Sequence, residues 1–206
     1  MDLISGLIAL TILIFSAILH EIAHGFVAER FGDPTARLAG RLTLNPKKHI
    51  DPFMSILLPL LLILSGSPVI FGAAKPVPID PFNLKEGRKD IALVALSGPL
   101  TNLIIAILGS FLIKLGGLPS ILYLLLSSVV TLNLLLAIFN LLPIPPLDGS
   151  KVFALLLPEK QSMAFLSLGS VGFFILFFLL FFPVGGFSLM SFIATLLAFS
   201  QKLLGI

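Results

Sequence analysis

Cysteine and tryptophan are absent from this chain, tyrosine occurs once, and charged residues fill only 11% of its 206 positions. Each shortage excludes something. Without cysteine there can be no disulfide framework and no thiolate metal site. Without tryptophan and with a single tyrosine, the usual interfacial aromatic belt is nearly missing, which leaves the 19 phenylalanines to substitute for it. So little charge cannot cover the surface of a soluble domain of this length. Hydrophobic residues make up 57% of the chain, so the composition is that of a protein whose partner is the lipid bilayer. The net charge of +3 implies little by itself, and no nucleic-acid partner is expected.

The length is that of one domain. Residues 1–206 read as a single membrane-embedded unit, with a core over 1–157 and a C-terminal helical pair over 161–204. The N-terminus lacks the basic start of a cleavable signal peptide, and its apolar run continues straight into His20 and Glu21. One helix is expected over roughly 3–30. Further spans are expected at 91–113, 118–142, 161–182 and 187–204, since about 20 apolar residues cross a bilayer as helix. Phe53 to Leu64 is apolar for only 12 residues before the Ser65-Gly66-Ser67-Pro68 break, which suits a re-entrant segment. The alternation Arg41, Leu42, Thr43, Leu44, ended by Asn45-Pro46, predicts a strand or hairpin. The expected fold is therefore an all-α polytopic membrane protein of about five transmembrane helices, with a re-entrant segment and a small β-hairpin or sheet near the active site.

If residues 53–71 dip into the bilayer and return, 12 of the 13 basic residues share one face and only Lys114 lies opposite. The excess of positive charge marks the cytoplasmic side. That places the N-terminus outside, the C-terminus inside and the active site toward the cytoplasm. The expected location is the plasma membrane of a prokaryote.

His20-Glu21-Ile22-Ala23-His24 spells H-E-x-x-H. On a helix, residues four apart lie one above the other on one face, so two imidazoles can grip one zinc ion. The glutamate beside the first histidine is then the general base toward a water that zinc acidifies. Ionisable groups inside a span cost on the order of 2.5–3.5 kcal/mol each, so they are functional candidates by default. A chance helix end is the bland alternative, weakened because two of only three histidines fall at this spacing.

Zinc needs a third protein ligand and an open position. The metzincin spacing is excluded, because Val27 and Arg30 stand where glycine and histidine would be needed. Asp33, Asp51, Asp80, Asp148 and His49 are left. The first three aspartates precede or adjoin prolines and suit turns. Asp148 follows a long span and the unwinding run Pro143-Ile144-Pro145-Pro146-Leu147, and Gly149 allows a tight turn beside it. Two readings of Asp148 stand open from the residues alone: third ligand, or N-cap of a helix at 149–157. Asn140 is an amide in an apolar helix and needs partners, which an extended substrate or a neighbouring helix could supply. Asn102 and Asn133 suit interhelical hydrogen bonds.

HEIAHG at 20–25 and NLLPIPPLDG at 140–149 resemble the site-2 protease family of intramembrane zinc metalloproteases, in its short form without PDZ or CBS domains. LNPKKHIDPF at 44–53, FGAAKPVPID at 71–80 and SGPLTN at 97–102 match further family segments, in family order. The resemblance implies one Zn²⁺ per chain held by His20, His24 and Asp148, with Glu21 as general base. It implies that Asn140 holds the substrate backbone, and that Gly98 and Asn102 lie in the core helix packed against the other two. It implies hydrolysis of transmembrane segments in single-pass membrane proteins. Ser150, Ala73 and Met54 depart from residues common in the family. The alternative is a non-proteolytic membrane protein that binds or transports metal, although no repeat-related broken helices are visible.

Overall fold

The computed structural model describes residues 3–65, 72 and 74–206, with Ser170 described in its backbone only. The first helix, α1, runs Leu3–Arg30 without a proline. The short α2 follows at Thr35–Leu38. A 3-10 turn at Pro46–Lys48 comes next, then a π-helical stretch, Pro52–Leu57, that runs directly into α3, Leu58–Leu64. After a second 3-10 turn at Pro81–Asn83 come α4, Arg88–Lys114, and α5, Ser120–Asn140. The remaining helices are α6, Asp148–Ala154; α7, Glu159–Leu166; α8, Gly169–Phe181; and α9, Leu189–Leu204.

Helix α4 is central and packs against α1, α5 and α6. Its buried face is mostly small: Ala95, Gly98, Asn102, Ala106 and Gly109 recur every three or four residues. Small side chains let helix backbones approach closely where apolar burial alone gives no drive. On α1, Ser16, His20, His24 and Ala28 recur every fourth residue and are all buried. The outward faces stay apolar: Ile104, Ile107, Leu108 and Phe111 of α4 and Phe174, Phe177, Phe178 and Phe181 of α8 are exposed. Apolar surface this continuous marks contact with lipid. The chain is an integral membrane protein.

Three features of the expected fold and topology are overturned. Among the described residues there is no strand; the sole isolated bridge, Val184 with Phe187, closes a tight turn before α9. The stretch 41–44 is a bend pinned by side chains. Arg41 Nη2 donates to the Lys75 carbonyl at 2.7 Å, and His49 Nε2 donates to the Thr43 carbonyl at 2.8 Å. The extended segment beside it carries Pro76 and Pro78, which have no N–H to give a ladder.

The span count is also lower than five. Three helices, α1, α4 and α5, are long and apolar enough to cross a membrane. A fourth is reached only if α7 and α8 count as one span, and they meet at a 69° bend. The last helix, α9, has 16 residues, short of the 20 or so that a crossing takes. The apolar piece after Pro52 is a π-to-α helix ending at Leu64. Gly66-Ser67-Pro68 and Ala73 lie outside the described residues. The C-terminus is not where the charge pattern put it either. Ser110 Oγ donates to the Leu204 carbonyl at 2.8 Å, and Gly205 lies against Lys114, so the chain ends beside the basic residue expected on the opposite face.

Asp33 joins the turn after α1 to the loop before α4. It is fully buried and accepts from the Thr35 N–H and hydroxyl, the Asp80 N–H at 2.8 Å and Asn83 Nδ2 at 3.0 Å. Burial pushes its carboxyl up, but these donors, Thr35 and Asn83 foremost, hold it below the usual carboxylate range. A depressed carboxyl stabilises fully above its unfolded value, near 4, and that contribution fades as pH falls through the folded value. Asp33→Ala is expected to cost about 1–3 kcal/mol by orphaning buried donors. Thermal melts in detergent check this, and the wild-type melting temperature should fall more steeply on acidification than that of Asp33→Asn.

Candidate metal centre

The i,i+4 spacing carries His20 and His24 to one face of α1, turned toward α4 and α6. Their Nε2 atoms lie 3.0 Å apart, and each is 3.1 Å from Asp148 Oδ2. The two rings meet edge to face at 88°. All three side chains are buried. They are the one cluster of three or more potential metal-ligating side chains among the described residues.

The opposite nitrogens explain the orientation. His20 Nδ1 donates to Asn102 Oδ1 at 2.6 Å, and His24 Nδ1 donates to the Val94 carbonyl at 2.7 Å. Protons on Nδ1 leave lone pairs on both Nε2 atoms. Two lone pairs and a carboxylate oxygen then face one another in a buried site, an arrangement that repels itself unless a cation lies among them. Ligands bound tetrahedrally at 2.0–2.1 Å stand about 3.3 Å apart, within a few tenths of the spacing found. The donor set fits Zn²⁺, and three such ligands would leave a fourth position open.

Two glycines make the meeting possible. A Cβ on Gly98 would lie 2.5 Å from both Nε2 atoms, so only a residue without a side chain lets α4 pass the histidines there. A Cβ on Gly149 would lie 2.1 Å from the Leu141 carbonyl oxygen, so α6 starts against the end of α5 only with glycine at its second position. The N-cap of α6 is Leu147, not Asp148. The Asp148 carboxylate is turned to the imidazoles and makes no cap bond. Its other oxygen, Oδ1, accepts from Lys151 Nζ at 3.0 Å. That ion pair occupies one oxygen and leaves Oδ2 for the histidines.

Glu21 stands beside this cluster. It lines a cleft of about 390 Å³ together with His20, His24, Asn140, Asp148 and Lys151. Its Oε2 accepts the Val77 N–H at 2.7 Å. Asn140 lines the same cleft, and its Nδ2 donates to the Leu136 carbonyl of its own helix at 3.0 Å. The other third-ligand candidates lie elsewhere. Asp51 and Asp80 cap turns, bonding the N–H groups of Phe53 and Met54 and of Phe82 respectively. His49 gives its Nε2 proton to the Thr43 carbonyl, away from the cluster. Of the residues that depart from the family pattern, Met54 is exposed, and Ser150 is buried with its hydroxyl on the Leu147 carbonyl at 2.6 Å.

The model of peptidase family M50 matches residues 7–123 and 116–183. The chain belongs to peptidase family M50. It is 39% identical to "Putative zinc metalloprotease YwhC" of Bacillus subtilis over 186 residues, 86% of this chain and 81% of that one. It is 36% identical to "Putative zinc metalloprotease Rip2" of Mycobacterium tuberculosis over 136 residues, 65% of this chain and 51% of that one. "Putative zinc metalloprotease MJ0611" of Methanocaldococcus jannaschii is 33% identical over 135 residues, 66% of this chain and 63% of that one. No solved structure matches. The chain thus spans about half of Rip2 and most of YwhC.

Three partners in the M50 site have weak or no sequence signal. Lys151 follows Asp148 by three residues, a helical pairing distance that could have been noticed. The Val94 carbonyl and the Val77 N–H are backbone groups, which no residue type reveals. Gly98→Ala is expected to push α1 and α4 apart and drop bound zinc from one ion per chain toward none. Metal analysis of the purified variant, beside a melt showing it still folded, checks this.

Proposed function

We propose that His20, His24 and Asp148 hold one zinc ion, and that Glu21 is the general base for peptide hydrolysis inside the membrane. As a member of family M50, this chain is an intramembrane zinc metalloprotease. The observation that carries the residue roles is the convergence of three acceptor atoms within 3.1 Å, next to a carboxylate in one cleft.

Zinc at this site supplies a Lewis acid for the scissile carbonyl and brings a water's pKa to about 7. The chain supplies the rest. Val77 N–H fixes Glu21 through Oε2, which leaves Oε1 to take the proton of the attacking water. Glu21 then returns that proton to the leaving amine as the C–N bond breaks. Lys151 holds Asp148 by its outer oxygen and neutralises part of the buried charge. Val77, Ile79, Leu84, Ile91 and Leu147 give the cleft apolar walls, which suit the side chains of a membrane segment.

The substrates are membrane proteins, and the proposed ones are single-pass transmembrane chains. A substrate helix has its carbonyls in i→i−4 bonds, so it must unwind locally before one reaches the site. Asn140 is proposed to hold the unwound backbone. One N–H of its amide goes to Leu136, which leaves the second N–H for a substrate carbonyl and Oδ1 for a substrate N–H. Residues 1–206 act as one membrane-embedded domain in this reading. Its C-terminal helix is tied to the core by Gln201 Nε2 on Thr131 Oγ1 at 2.9 Å and by Leu197 and Leu204 against Ala106, Val130 and Leu134. The proposed location is the plasma membrane of a prokaryote, with the catalytic end toward the cytoplasm. Arg30, Arg88, Lys89 and Lys151 all lie at the ends of α1, α4 and α6 nearest the site, as the positive-inside rule would have it.

Glu21→Gln is expected to keep one zinc per chain and lose about 100- to 10,000-fold in cleavage rate. Reconstituted protein with a transmembrane substrate, assayed for metal and product together, tests it. Cleavage at the wild-type rate would remove Glu21 from the mechanism. Asn140→Leu is expected to raise KM for the same substrate while leaving zinc in place; an unchanged KM would assign Asn140 to the helix alone.

A further inference from the structure

Behind His20 lies a chain of buried amides that the hydrolytic reading leaves unused. Asn133 of α5 and Asn102 of α4 are fully buried, and Ser16 of α1 is nearly so. Asn133 Nδ2 donates to the Val129 carbonyl at 2.8 Å and to Ser16 Oγ at 2.9 Å. Asn133 Oδ1 accepts from Asn102 Nδ2 at 2.8 Å. Asn102 Nδ2 also lies 3.5 Å from the Ser16 carbonyl. Asn102 Oδ1 then accepts from His20 Nδ1 at 2.6 Å.

The direction of this chain follows from its far end. A backbone carbonyl can only accept, so Asn133 must turn its NH₂ to Val129. Its oxygen is thereby turned to Asn102, which must answer with NH₂. The oxygen of Asn102 is left for His20, so His20 must carry its proton on Nδ1. The lone pair then falls on Nε2, which faces His24 and Asp148. An imidazole in water has both neutral tautomers open to it. Here one carbonyl on α5, three hydrogen bonds away, selects the form that can ligate. Inside a membrane no solvent competes for these groups, so the order of donors and acceptors has no easy alternative.

We propose that Asn133 is a positioning residue: through Asn102 it presets the His20 tautomer that binds metal. The proposal rests on His20 being a zinc ligand. Its counterpart on His24 needs no relay, because Nδ1 meets the Val94 carbonyl directly.

The test is zinc affinity by chelator competition on the full chain in detergent. Asn133→Leu keeps the branched outline and removes the amide, so Asn102 loses its short orienting bond and keeps only the 3.5 Å contact to the Ser16 carbonyl. Its zinc affinity is expected to fall about 10- to 100-fold, the usual effect of losing an outer hydrogen-bond partner. Ser110→Ala removes a different buried interhelical bond, to Leu204, and is expected to bind zinc as the wild type does. The double variant Asn102→Asp with Asn133→Leu should recover most of the loss, because both oxygens of a carboxylate accept and no orienting partner is needed. Wild-type affinity in Asn133→Leu, or no recovery in the double variant, would overturn the proposal. Should Asn133→Leu fail to fold, nitrogen NMR of the metal-free wild-type chain at mildly alkaline pH decides. His20 protonated on Nδ1 is expected, and protonation on Nε2 would overturn it. A wild-type chain that takes up no zinc sinks the ligand assignment instead, which separates the two failures.

Discussion

Three electron-rich atoms held within 3.1 Å of one another, inside a membrane, are the constraint around which this structure is arranged. No apolar packing would bring two imidazole lone pairs and a carboxylate together, because each loses its hydration and gains only repulsion without a cation. The surrounding chain offsets that cost group by group. Asn102 and Val94 take the outward protons, Lys151 takes the outer carboxylate oxygen, and Gly98 and Gly149 remove the atoms that would keep the helices apart.

The same constraint explains the composition of α4. A helix that must touch α1, α5 and α6 at once cannot carry large side chains inward, so its inner face is alanine, glycine and asparagine while its outer face is isoleucine, leucine and phenylalanine. The polar atoms on the inner face bond across to other helices, Asn102 to His20 and Asn133, and Ser110 to the Leu204 carbonyl. In lipid the alternative to such a bond is an unsatisfied group, so buried amides hold helix order as well as helix contact.

The expected strand failed for a physical reason visible in the chain. Four alternating residues are too few to define a strand without a partner edge, and the neighbouring segment alternates prolines. The N–H groups it does have go to His49 and Glu21: Lys75 N–H to the His49 carbonyl at 2.7 Å, and Val77 N–H to the Glu21 carboxylate. The expected count of five spans failed because apolar length was counted without regard to breaks. Leu168 separates α7 from α8 at a sharp bend, and α9 begins only after Ser188 caps it.

The sequence by itself determined that the chain lives in a bilayer and that one helical turn presents two imidazoles and a carboxylate. Those facts need only composition and a period of 3.6 residues. It also brought Asp148 forward, by placing a carboxylate after a proline-broken span, but it left ligand and cap undivided without the family resemblance. Only the tertiary structure removed the cap and set Asp148 against the imidazoles, because that depends on where α6 starts relative to α1, 124 residues away in sequence. The roles of Val94 and Val77 were likewise decided there, since a backbone carbonyl or N–H is the same in every residue and acquires a function only from what folds against it.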